Sequence, residues 1–176
     1  LEEMSGYSNE KSAWTIKAWT ELARQGFDIA MIEVFDYARY AQEGETYLKE
    51  LFTAEKLRWQ LENSNILDIR PLIPEFLKTV KYNCKSPLLD DIDNLLNEGY
   101  LVKVTLNSCI LNKTPGFIDH AILIYDRVDD EYITHDPGPG LGGEARAIPS
   151  ELLFQAMGGS NNTNEVTGLK IGNAKI

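Results

Sequence analysis

The chain has 176 residues, 43% of them hydrophobic, and carries a formal net charge of −10. That much apolar surface offsets chain entropy and excludes wholesale disorder, and the length suits one core, so a single domain over residues 1–176 is expected. The acid excess leaves no basic stripe to track a phosphate backbone, which excludes nucleic acid as an expected partner.

No apolar run approaches the roughly 20 residues a membrane helix needs, so no membrane span is expected. The acidic start at Leu1 shows no signal peptide, and the chain reads as a piece cut from something longer. Two cysteines, Cys84 and Cys109, stand without CxxC spacing, which excludes a zinc ribbon and a disulfide scaffold. Their usage leaves the compartment open, leaning to the cytoplasm.

From Glu10 to Gln25 the apolar positions Ala13, Ile16, Trp19, Leu22 and Ala23 recur at three and four, then stop at Gly26, which predicts an amphipathic helix with a glycine C-cap. A short strand over Phe27 to Ile32 comes next. Val34 to Leu61 is helical in pattern, with breaks at Glu43-Gly44 and Phe52-Thr53, and Tyr47 and Trp59 are expected in the core. Residues 63–74 read as a loop, and Ile73 to Val80 as a helix. Ser86 is a candidate N-cap with Pro87 at the first helical position, Asp90 and Asp91 near the positive end of the dipole, and Gly99 as the stop.

Thereafter the period changes to strands over Tyr100 to Leu106, Ala121 to Val128 and Glu131 to Thr134, with Val128-Asp129-Asp130-Glu131 as a tight connection. A helix over Pro149 to Met157, a Gly-Gly-Ser-Asn-Asn turn and a strand over Val166 to Ile171 complete the order. Helices first and antiparallel strands later predict an α+β fold. No glycine-rich phosphate loop is present, so neither a parallel nucleotide-binding sheet nor a cofactor is expected.

The chemistry concentrates at Asp119-His120-Ala121-Ile122-Leu123-Ile124-Tyr125-Asp126 and Ile133-Thr134-His135-Asp136-Pro137-Gly138. A hairpin from Ala121 to Thr134 brings its ends together, so His120 can act as a general base oriented by Asp136, itself fixed by the rigid Pro-Gly turn. A strand-edge histidine beside an Asx turn is the alternative reading. His135, adjacent to Asp136, is expected on the opposite face. His120, His135 and Asp136 lack HxH or HxxxH spacing, so no metal site is expected. The acidic run Asp126, Asp129, Asp130 and Glu131 lacks the EF-hand pattern and reads as a solvated hairpin tip. Asn107 to Leu111 reads as a strand exit into a loop, so neither Cys109 nor Cys84 sits at the helix N-terminus that activates a thiol.

Together with Leu95-Leu96-Asn97-Glu98-Gly99-Tyr100 and Val102-Lys103-Val104, these segments resemble the C39-like peptidases, relatives of the bacteriocin leader-processing proteases with a papain-like fold. The resemblance implies N-terminal helices packed on a C-terminal antiparallel sheet, His120 and Asp136 as the catalytic His and Asp, Ser150 to Met157 as the closing helix, and a peptide as substrate or ligand. Asp119 stands where that family has Gly. The family's Cys-Gly-Pro segment and its oxyanion-hole Gln have no counterpart here, while Leu1 to Tyr7 and Ala18 to Asp28 are similar to the family's segments downstream of its cysteine-bearing helix. A C39-like domain without that first helix is thus implied, whose exposed groove a partner or the missing segment would cover. Without a thiol, peptide cleavage by this chain is not expected. Three functions stand open: a cysteine-peptidase domain, a catalytically silent module that binds a peptide or leader segment, and a structural α+β domain.

Overall fold

A computed structural model describes residues 11–138, 142–159 and 164–172. They form two compact units: residues 11–29, 36–81 and 171–172 fall in the first, and residues 30–35 and 82–170 in the second.

The first unit is mainly helical. Helix α1 (Ile16–Arg24) stops before Gly26, which takes a positive φ of 94°. It begins six residues later than its periodicity suggests, because Ser12 bridges to Ser64 and the Trp14 amide donates to Asn65 Oδ1 at 2.7 Å, holding that stretch extended. Its predicted start at Glu10 lies outside the described residues. Strand β1 (Phe27–Glu33) comes next, then α2 (Tyr37–Glu43), α3 (Glu45–Leu51) and α4 (Ala54–Asn63), with breaks where Gly44 and Phe52-Thr53 interrupt the pattern. Asp36 caps α2 by accepting from the Arg39 amide at 2.8 Å, and Thr53 caps α4 through the Lys56 amide.

The stretch expected as a loop is instead a short helix α5 (Ile66–Ile69) and a 3-10 turn (Arg70–Leu72) leading into α6 (Ile73–Thr79). Pro71 and Pro74 occupy first-turn positions, where the missing amide costs no hydrogen bond. Tyr37, Tyr40, Ile66, Ile69, Ile73 and Phe76 are buried, with the Tyr37 and Phe76 rings edge-on at 5.0 Å. Tyr47 joins this core, whereas Trp59 is 48% exposed, contrary to expectation, on a helix that buries no residue fully.

Strand β2 (Lys81–Cys84), which the sequence pattern does not announce, precedes α7 (Leu89–Asn97). That helix starts two residues after Pro87, and its N-cap is Leu88, not Ser86, because Asp91 Oδ2 accepts from the Leu88 amide at 2.9 Å. The chain then runs β3 (Leu101–Asn107), α8 (Ser108–Leu111), β4 (Asp119–Val128), β5 (Glu131–Asp136), β6 (Gly143–Pro149), α9 (Ser150–Ala156) and β7 (Val166–Ile171), all in the second unit but for the last residue of β7. The strands order as β2-β1-β7-β3-β4-β5-β6, with β3 antiparallel to β4 and β7, β4 to β5, and β5 to β6.

The fold is α+β, as expected, and β3 to β6 form the anticipated meander with one strand more than the sequence pattern suggests. Alternation places Val102, Val104, Leu106, Ile122, Ile124, Tyr132 and Ile148 in one buried cluster with Ile92, Leu95 and Leu153 from α7 and α9. The hairpin turn after Val128 puts Asp129 at a φ of 54°, and the acidic residues around it are exposed. In the predicted Gly-Gly-Ser-Asn-Asn turn, residues 160–162 lie outside the described residues. No described helix is long and apolar enough to cross a membrane.

Candidate active site

His120 is the second residue of β4 and Asp136 the last of β5. Leu123 lies opposite His135 in the antiparallel register, so the next step places Asp136 across from Ile122, with His120 two residues further along the same face. That diagonal brings His120 Nε2 to 2.7 Å from Asp136 Oδ1. Both side chains are shielded, 14% and 5% exposed. His135 faces the other way and is exposed, as the period of two requires.

The carboxylate is held by three donors. Oδ1 accepts from His120 and from the Gly138 amide at 3.0 Å, which closes the turn through Pro137, and Oδ2 accepts from the Arg146 guanidinium at 2.8 Å. Burial alone would push the Asp136 carboxyl up. The hydrogen bonds from His120, Gly138 and Arg146 outweigh it and leave the group below the usual carboxylate range. An ionised Asp136 accepts the Nε2 proton of a neutral imidazole, which leaves the Nδ1 lone pair as the basic position of the ring.

The approach to His120 is built from β3, α8 and the segment between α8 and β4. Asn107 Oδ1 accepts from the amides of Cys109 and Ile118, both at 3.1 Å, and its Nδ2 donates to Gly116 O at 3.1 Å. The Ser108 amide also donates to Ile118 O at 3.0 Å. One side chain thus caps a helix and fixes the segment entering β4. The predicted loop at residues 108–111 is instead the single helical turn α8, because Asn107 satisfies the Cys109 amide. Asp119, beside the histidine, has its carboxyl pushed up by burial, partly opposed by Lys103.

Neither cysteine completes the pair. Cys109, contrary to expectation, lies in the first turn of a helix, the four-residue α8, but is buried there, and Cys84 is exposed on β2 with its thiol directed to Val34 O at 3.6 Å. Among the described residues His120 makes no hydrogen bond to a thiol, and no group of three His, Cys, Asp or Glu is placed to hold a metal ion.

The structure therefore joins the two residues singled out from the sequence, His120 and Asp136, and adds Arg146, Asn107 and Asn112. Arg146 escapes sequence reasoning because it lies on a strand whose pattern, Gly-Glu-Ala-Arg-Ala-Ile-Pro, does not alternate cleanly. Comparison with protein-family models, curated proteins and solved structures finds no match to this chain.

Proposed function

We propose that this chain is a C39-like, papain-like cysteine-peptidase domain acting on a peptide or related amide bond. His120 is the general base through Nδ1, and Asp136 is the group that orients it. The observation that carries this reading is the 2.7 Å contact from His120 Nε2 to an Asp136 carboxylate kept ionised by Gly138 and Arg146. A carboxylate so held fixes both the tautomer and the angle of the ring, as nucleophilic catalysis by a thiol requires.

In that chemistry Nδ1 takes the proton of the thiol, the thiolate attacks the carbonyl carbon, and the imidazolium gives the proton to the amine as the C–N bond breaks, leaving a thioester. Water, deprotonated by Nδ1, then displaces the thiolate, which releases the acid and restores the thiol. The cycle needs a thiol brought to Nδ1, and Cys84 and Cys109 do not meet it there. A second reading rests on that observation: a catalytically silent module that binds a peptide or leader segment over the same face.

The test uses the protein isolated from its source, with its intact mass measured and a thiol-alkylating peptide probe applied. Labelling of a cysteine joined to this sequence, and peptide cleavage abolished by His120→Gln, support the peptidase. Peptide binding that survives with no cleavage and no labelled thiol supports the module.

A further inference from the structure

Strand β6 supplies the third member of the polar group, and it does so through a local irregularity. Thr134 pairs with Arg146 and Asp136 pairs with Gly143, so two residues of β6, Glu144 and Ala145, stand against the single His135 of β5. This is a β-bulge, a device that re-aims the side chain beside it. Ala145 takes a φ of 53°, a left-handed backbone that a residue with a Cβ adopts only when its surroundings hold it there. The residue re-aimed is Arg146.

Its guanidinium is shared. One nitrogen donates to Asp136 Oδ2 at 2.8 Å, and the other donates to Leu111 O at 3.2 Å and to Asn112 Oδ1 at 3.1 Å. A planar fork anchored on two acceptors through Nη2 cannot rotate freely, so it presents Nη1 to the carboxylate in one direction. With Oδ2 tied to Arg146, Asp136 keeps Oδ1 turned toward Nε2 of His120. The charged groups around the ring include Asp136 from β5, Arg146 from β6 and Asp119 of β4, with Lys103 of β3 beside Asp119 and itself paired to Glu165 at 2.9 Å.

We propose that Arg146, anchored by Asn112 and the Leu111 carbonyl, is a positioning residue that acts through Asp136 to hold His120 as the Nε2-protonated tautomer with Nδ1 open. The proposal rests on His120 being the base. An arginine serving only as a strut between β6 and α8 would stabilise the fold without governing the imidazole proton, and the experiment separates the two.

The 15N-labelled chain is compared with Arg146→Met, Arg146→Lys, Asn112→Ala and Asp136→Asn. The readouts are the water-exchange rate of the His120 Nε2 proton and the ring tautomer, with thermal melts confirming that each variant folds. Arg146→Met is expected to exchange that proton about tenfold faster and to populate the Nδ1-protonated ring. Arg146→Lys, which keeps the charge but not the fork, falls between Arg146→Met and the parent. Asn112→Ala moves the same way by less, and it keeps the test decisive if Arg146→Met loosens the fold.

Unchanged exchange and tautomer in Arg146→Met and Asn112→Ala, alongside altered values in Asp136→Asn, would overturn the role of Arg146 and leave the His120–Asp136 pair intact. No change in Asp136→Asn either would remove the base-and-orienter reading itself, and the role of Arg146 with it.

Discussion

Gly142 lies against the backbone of Asp136 with no room for a side chain: a Cβ there would stand 2.7 Å from the Asp136 carbonyl oxygen. The same atom would meet the Gly138 nitrogen at 2.7 Å and its Cα at 2.8 Å. These are backbone atoms that cannot swing aside, so the turn holding the carboxylate must move. Gly142→Ala is expected to cost about 2 kcal/mol and to weaken the His120–Asp136 contact. Denaturant unfolding measures the first effect and the His120 ring resonances report the second. Resonances and stability matching the parent would mean that the turn is looser than its contacts imply.

Ala145 makes the opposite case. Its left-handed backbone costs about 1–2 kcal/mol for a residue with a Cβ. Glycine removes that strain and gives back part of the gain as chain entropy. Ala145→Gly should therefore stabilise the protein by roughly 0.5 kcal/mol while the bulge keeps Arg146 on Asp136. A destabilised variant in denaturant titration would contradict the strain argument.

The pH dependence of stability has a defined sign at Asp136. Its carboxyl titrates below the ordinary value in the folded state, so the stability it contributes is fully present above the unfolded value of about 4. That contribution is lost as pH falls through the folded value. The stability difference between the parent and Asp136→Asn should shrink on acidification below about pH 4. A difference that grows on acidification would reverse the assignment.

Asn107 fixes the way into β4 with three hydrogen bonds from one side chain. Asn107→Ala removes the cap of α8 and leaves the Cys109 and Ile118 amides without that acceptor, at a cost of about 2 kcal/mol. Hydrogen exchange at those two amides should accelerate more than at Val104 in the middle of β3. Equal protection at all three would show that the side chain is dispensable.

The meander from β3 to β5 is legible in the sequence because Val102, Val104 and Leu106 alternate with polar residues, because Ala121 to Tyr125 is a short apolar run of strand length, and because the polar Asp129-Asp130 separates it from the next strand. The turn brings His120 and Asp136 to neighbouring strand ends, but plain counting from it would set Asp136 against Leu123, and the register shift between Ile124 and Asp126 is what moves it opposite Ile122, onto the face of His120. Helix starts are less legible. Ser86-Pro87 carries the local signature of an N-cap, yet Asp91 reaches back to Leu88 and moves the start. Ser12 and Asn65 likewise hold through long-range contacts a stretch whose period alone is helical. Trp59 misleads because an aromatic residue at helical spacing reads as core, while α4 leaves it 48% exposed. Arg146 is invisible because a bulge breaks the alternation that would have marked its strand. The α+β class can be read from the order of elements, but the third partner of the site depends on one residue out of register.

The central claim is that Asp136 holds His120 as a base with Nδ1 open. It is tested most directly by 15N spectroscopy of the imidazole at a pH where the ring is neutral, in the parent and in Asp136→Asn. The parent ring is expected to carry its proton on Nε2, and the variant to shift toward the Nδ1-protonated form. A parent ring protonated on Nδ1, or a tautomer indifferent to Asp136→Asn, would contradict it.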